Sequence, residues 1–283
     1  CNFPYAIAFA ADFNGETELW QFNLGAGIHQ STGRAPPSGG FDVHGARDGA
    51  WAWSENGAIW IEGRPHDEAV MVDMGTDPDY IGQFLVYVAP DGRHLMRRDR
   101  ALEGEAIAIY EAPETFAISI AVNPLEDGIT VLQRDADGEV RLLEMDDTGQ
   151  ITLPSIFLAD GFEDTFPQVS RHPREPLYLL SGTEGAVRGV TLFDPVNEVS
   201  QPLTFAPTYD AVFTPDGNGL LTLVEASDGR ALNIAAIEPN ARARTVLGPS
   251  QAIKALGLEP VRRPPPEVDS DGDGRVDRED TCP

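Results

Sequence analysis

The sequence predicts an all-β fold assembled from repeated four-stranded units. Three observations predict it. No long stretch carries the 3.6-residue apolar period of an amphipathic helix, while short apolar runs recur along most of the 283 residues. Asn-Gly and Asp-Gly pairs punctuate those runs at 14–15, 56–57, 91–92, 137–138, 216–217 and 228–229, and such pairs supply the positive φ that tight hairpins need. The runs also group with a longer period of roughly 40 to 45 residues, the size of one propeller blade.

The strand-like runs fall at 5–10, 18–24, 50–53, 58–62, 83–89, 106–111, 116–122, 128–134, 140–145, 177–181, 187–193, 211–214, 219–224 and 231–237. The clearest unit runs from Tyr209 to Leu247: four strands separated by the turns Pro215-Asp216-Gly217 and Ser227-Asp228-Gly229 and by one short further turn. Similar units span Asp164–Phe205 and Thr115–Leu158, and weaker ones Phe41–Met74 and Asp79–Glu114. Tyr5–Ala10 and Glu18–Leu24 match the second and third strands of a unit whose first strand is missing. A ring closed by both chain ends would take that strand from the C-terminal side, around Ser250–Val261. The expectation is therefore a β-propeller over residues 1–258, with five full blades plus a shared one; five or seven blades are also compatible with such boundaries.

Ala211-Val212-Phe213-Thr214-Pro215-Asp216-Gly217 and Tyr87-Val88-Ala89-Pro90-Asp91-Gly92-Arg93 resemble the TolB-like propeller repeat. The hairpin from Ile7 to Trp20 is similar to the middle of the same repeat. The resemblance covers about residues 5–250 and is degenerate: Pro124, Pro173 and Glu175-Pro176 stand where the stronger copies carry Asp-Gly. It implies a six-bladed ring and a binding or scaffold role.

Composition narrows the partners. With 46 Asp and Glu against 20 Lys and Arg, the formal net charge is -26. Nucleic-acid binding, which needs clustered cations, is excluded, and an anionic membrane would repel the body. Cations are the natural small partners, although most surface carboxylates need no role beyond solubility. A 41% hydrophobic content suffices for a sizeable core.

One stretch states its chemistry. Counted from Asp269, carboxylates stand at positions 1, 3, 5, 9 and 12 (Asp269, Asp271, Asp273, Asp277, Asp280), with Gly274 at position 6. This is the spacing of an EF-hand-type calcium loop, in which alternating side chains converge on one hard cation and glycine allows the sharp turn. The Arg275 carbonyl would supply position 7, and Val276 would anchor the loop inward. Asp280 is shorter than the usual Glu, and no amphipathic helix flanks the loop. The string Asp269 to Pro283 instead resembles one thrombospondin type 3 repeat, including its terminal Cys-Pro, and that resemblance implies Ca²⁺ ligands at Asp269, Asp271, Asp273, Arg275, Asp277 and Asp280. The bland alternative is a solvated acidic tail. Residues 259–268, with Pro260 and Pro264–Pro266, are expected to form a stiff linker between ring and repeat.

The two cysteines are Cys1 and Cys282. Cys1 is compatible with a lipid anchor, with a Cys1–Cys282 disulfide clasping the two ends, or with a free thiol. Signals for an enzyme are poor: there is no Gly-x-Ser-x-Gly elbow, phosphate loop or His-Glu-x-x-His. His29, His44, His66, His94 and His172 are scattered singly. The acid pairs Asp77/Asp79, Asp146/Asp147 and Glu163/Asp164 lie where turn capping explains them, and Trp51, Trp53 and Trp60 where strand packing does. The expected function is thus a non-enzymatic, protein-binding or scaffold propeller, extracellular or in a bacterial cell envelope, with calcium in its terminal repeat. The alternative is a propeller hydrolase or lyase with an acidic or metal site at the central channel.

Overall fold

The computed structural model describes residues 5–11, 18–23, 28–31, 42–45, 50–63, 66–123, 128–160, 166–182, 189–204, 206–214, 217–239, 241–250 and 259–262. Five four-stranded antiparallel blades are each built from consecutive strands. The first holds β4 (Asp42–Gly45), β5 (Trp51–Glu55), β6 (Ala58–Gly63) and β7 (His66–Met74). The second holds β8 (Thr76–Ile81), β9 (Phe84–Val88), β10 (His94–Asp99) and β11 (Ile107–Glu111). The third holds β12 (Ala117–Val122), β13 (Ile129–Arg134), β14 (Val140–Met145) and β15 (Ile151–Ala159). The fourth holds β16 (Gln168–Arg171), β17 (Tyr178–Gly182), β18 (Gly189–Asp194) and β19 (Val199–Thr204). The fifth holds β20 (Thr208–Phe213), β21 (Gly219–Ala226), β22 (Gly229–Ala236) and β23 (Arg244–Ser250).

A further sheet joins the ends of the chain: β1 (Tyr5–Ala11), β2 (Glu18–Asn23) and β3 (Ile28–Ser31) follow β24 (Glu259–Arg262) in the order β24-β1-β2-β3. Tyr5 pairs with Arg262 and Ala8 with Glu259. This composite sheet lies against β4 on one side and β20 on the other, which closes the ring. The closing strand corrects the reading of 259–268 as a linker: its first four residues belong to the ring. Pro260 does not prevent this, because β24 is a first strand with only one neighbour and can spare a donor.

The second strands β9, β13, β17 and β21 bury both faces, so they read as continuous apolar runs and not as alternations. In β13, Ile129 and Val131 pack into the core shared with the second blade, and Leu132 into the core shared with the fourth. Tyr178 and Leu180 of β17 face the third blade, while Leu179 faces the fifth. Leu221 and Leu223 of β21 meet Phe9 and Trp20 of the composite sheet. Each such Leu or Ile contributes roughly 1.5–3 kcal/mol through burial.

Polar links also cross between blades, at a common spacing. Asp79 is buried in β8; one carboxylate oxygen accepts from the Tyr80 amide at 2.6 Å and the other from the Val122 amide of β12 at 2.7 Å. Between the fourth and fifth blades, the Ser170 hydroxyl accepts from the Phe213 amide at 3.3 Å. Both links join residues 43 apart, one repeat length.

Candidate functional site

The proposed calcium ligands Asp269, Asp271, Asp273, Arg275, Asp277 and Asp280 lie outside the described residues, as do Cys1, Cys282 and the Glu163/Asp164 pair. Among the described residues no group of three or more His, Cys, Asp or Glu is arranged as a metal cage. The functional chemistry of the described part must therefore be sought in smaller constellations.

The turn carboxylates point back into their own turns. Asp146 illustrates the pattern: Oδ1 accepts from the Thr148 hydroxyl at 2.6 Å and from the Thr148 and Gln150 amides at 2.9 Å each. Those bonds, the Thr148 hydroxyl first, hold its carboxyl below the ordinary range. Asp194 does the same with the Asn197 side-chain amide at 2.7 Å and the Val196 and Asn197 backbone amides, and is likewise lowered. Asp77 and Asp79 correct the turn reading: both lie within β8, and the buried Asp79 serves the inter-blade link described above.

His172 is buried in the turn after β16. Its Nδ1 accepts from the Glu175 amide at 2.9 Å and the Arg174 amide at 3.2 Å, and its Nε2 lies 3.0 Å from the Gly217 carbonyl. The tautomer protonated on Nε2 satisfies all three contacts. The ring also meets Phe213 edge-on at 4.9 Å. His66 Nε2 lies 2.8 Å from the Arg100 carbonyl. Of the tryptophans, Trp51 is buried, and its carbonyl accepts from the Tyr80 hydroxyl at 2.8 Å. Trp53 and Trp60, directly opposed on β5 and β6, stack at 6.4 Å with planes 11° apart.

Two constellations stand apart from this structural use. The first lies half-buried between the third and fourth blades: Arg171 of β16 pairs through Nε with Glu144 of β14, and their side chains are 22% and 13% exposed. The Tyr178 hydroxyl adjoins the pair, and burial, then the Glu144 carboxylate, push it well above its ordinary range. The second is exposed, at the turn between β9 and β10. Asp91 Oδ1 accepts from the Arg93 amide at 2.9 Å and the His94 amide at 3.2 Å, while Oδ2 lies 2.5 Å from His94 Nδ1. The other ring nitrogen, Nε2, is 3.7 Å from Glu111 Oε2. Arg93 donates to Glu111 Oε1 and to the Ala112 carbonyl, both at 3.1 Å. The bonded Arg93 amide, before other contributions, holds Asp91 below the ordinary carboxylate range. The sequence signals Asp91 and His94 as neighbours in a turn; Glu111 comes from a strand one hairpin away and gives no local signal.

No family model and no curated protein matches the sequence. Solved structures do resemble the fold. TolB from Acinetobacter baumannii superposes with a TM-score of 0.65 at 12% identity, over 92% of this chain and 67% of that one. A chain of a nidogen–laminin complex gives 0.67 at 9% identity, over 91% and 98%. A TolB described as putative, from Agrobacterium tumefaciens, gives 0.60 at 11% identity, over 86% and 89%. The fold is a TolB-like β-propeller of four-stranded antiparallel blades, and at such identities the likeness extends to the fold alone.

Proposed function

We propose that this chain is a non-enzymatic, protein-binding propeller of the cell envelope or exterior, with a structural Ca²⁺ held by Asp269, Asp271, Asp273, the Arg275 carbonyl, Asp277 and Asp280. The observation that carries the binding role is a pair of outer strands, β15 and β19, that hold no charged residue on a chain of net charge -26. On β15 the exposed residues are Ile151, Thr152, Pro154, Ser155 and Phe157; on β19 of the next blade they are Val199, Ser200, Gln201 and Pro202. Phe157 is 54% exposed. An exposed aromatic on a strand without charged residues is the kind of anchor a protein interface uses, and Arg141, opposite Phe157 on β14, already pairs its charge with Glu139. The partner would present an apolar surface. That one propeller of similar fold comes from a complex of two proteins is in keeping with this reading.

Two measurements test the proposal. Calorimetric titration with Ca²⁺ should show binding that Asp271→Ala with Asp273→Ala abolishes; unchanged binding in that variant sinks the calcium assignment. The immobilised chain should capture a partner from an envelope or culture-supernatant fraction, and Phe157→Asp should reduce the capture tenfold or more. Capture indifferent to Phe157, or turnover of a glycan or peptide substrate by the purified chain, would overturn the binding role.

A further inference from the structure

The turn between β9 and β10 places a histidine and a carboxylate at the separation a bridging metal ion imposes, and each already has an outer partner. We infer that His94 Nε2 and Glu111 Oε2 form a two-point site for a divalent transition-metal ion of the Zn²⁺ class on this face of the second blade. The bonds to Zn²⁺ from imidazole and carboxylate are about 2.1 Å each, so ligands 3.7 Å apart subtend an angle of roughly 125° at the metal. That is a tetrahedral arrangement after small adjustment, with water in the remaining positions.

The surroundings agree with that role. A ligating imidazole donates its second N–H to a carboxylate, which fixes the tautomer and raises the basicity of the free nitrogen. Asp91 Oδ2, 2.5 Å from Nδ1, is that carboxylate, and it is itself anchored by the Arg93 and His94 amides. In the tautomer protonated on Nδ1, the Nε2 lone pair faces a carboxylate oxygen. In that tautomer a divalent cation between the two atoms would take the place of the ion pair that a doubly protonated ring makes with Glu111. Glu111 is oriented in turn: Arg93 occupies Oε1 at 3.1 Å and leaves Oε2 for the metal. The side chains are 31% (His94), 47% (Asp91) and 61% (Glu111) exposed, so an ion can enter without opening the fold. Imidazole selects for transition metals over Ca²⁺, which takes oxygen ligands, so this site and the terminal repeat would not compete for one ion.

The test is a Zn²⁺ titration of the full chain in excess Ca²⁺, which occupies the all-oxygen repeat. It is followed by calorimetry and by the ring C–H resonances of the five histidines. One ring is expected to respond, and its signal to be the one missing in His94→Ala. That variant and Glu111→Gln should abolish the binding, and Asp91→Asn, which leaves both direct ligands, should weaken it tenfold or more. His29→Ala should bind like the wild type, and thermal melts should show all four variants folded. Binding that survives in His94→Ala, a response from another histidine, or wild-type affinity in both Asp91→Asn and Glu111→Gln would overturn the site.

Discussion

Glu144 and Arg171 are largely withdrawn from water, so the loss of either leaves the other poorly compensated. Replacing one partner leaves an uncompensated charge between the third and fourth blades, at a cost of about 3–5 kcal/mol in comparable buried pairs. Glu144→Gln is therefore expected to lower the urea midpoint strongly, whereas Glu144→Leu with Arg171→Met should recover most of the loss. Equal destabilisation by single and double variants would mean that the pair contributes packing and not charge. The turn aspartates act at the opposite, exposed extreme. Asp91, Asp146 and Asp194 are lowered in the folded state, so their contribution is complete above the unfolded value of about 3.9 and is lost as pH falls through the lower folded values. Thermal melts should show stability falling below about pH 4, with a shallower fall in Asp146→Asn than in the wild type. Residue roles of this second kind were legible in the sequence, because an Asp two to four residues before its amide partners is a local pattern. Arg171 opposite Glu144 was not, because the pairing joins two blades.

The strands divide into legible and illegible ones for a physical reason. Second strands such as β9, β13, β17 and β21 bury both faces and read as apolar runs, so Gly128–Arg134 and Gly219–Val224 were placed correctly, whereas the third strand β10, with Leu95 alone buried, gave no such run. Fourth strands such as β7, β15 and β19 have a free edge and one poorly covered face, and their sequences carry no period. The turn motif misleads in a second way. Ala89 and Thr214 open the same turn, each amide bonding the carbonyl five residues on (His94 and Gly219), yet the first joins second to third strand and the second joins first to second. Turn chemistry is local, whereas the place of a strand in its blade depends on its neighbours. His172 to Leu177 closes with the same bond without an Asp-Gly, so the degenerate copies keep the geometry. Prolines mark the free edges: Pro78, Pro154, Pro202, Pro249 and Pro260 all lie in first or fourth strands. An edge strand offers unpaired donors and acceptors to other chains, and proline removes a donor. Pro154→Thr with Pro202→Thr should therefore raise self-association in sedimentation velocity runs while leaving the fold intact. A variant that stays as monodisperse as the wild type would show that net charge alone keeps the rims apart.

At the scale of the molecule, the ring depends on its last described strand. Four residues, Glu259 to Arg262, complete a sheet that begins at Tyr5, and β24 also adjoins β4 and β20. The composite origin of that sheet was legible in the sequence, because Tyr5–Ala10 and Glu18–Leu24 lack a preceding strand, and the expected filler around Ser250–Val261 overlaps β24; its exact bounds were not, because Pro260 beside Pro264–Pro266 reads as a spacer. The register decides what the C-terminal repeat is attached to. Antiparallel pairing sets Arg262 opposite Tyr5, so the chain enters and leaves the ring at one end of the same sheet. Two truncations separate the strand from the spacer. A chain ending at Arg262 keeps the closure and should unfold close to the wild-type urea midpoint. A chain ending at Leu258 loses the ladder bonds of β24 and uncovers one edge of β1. At about 0.5–1.5 kcal/mol for each net hydrogen bond, it should lose roughly 2–4 kcal/mol and unfold less cooperatively. Equal stability of the two truncations would place closure elsewhere and return 259–262 to the linker.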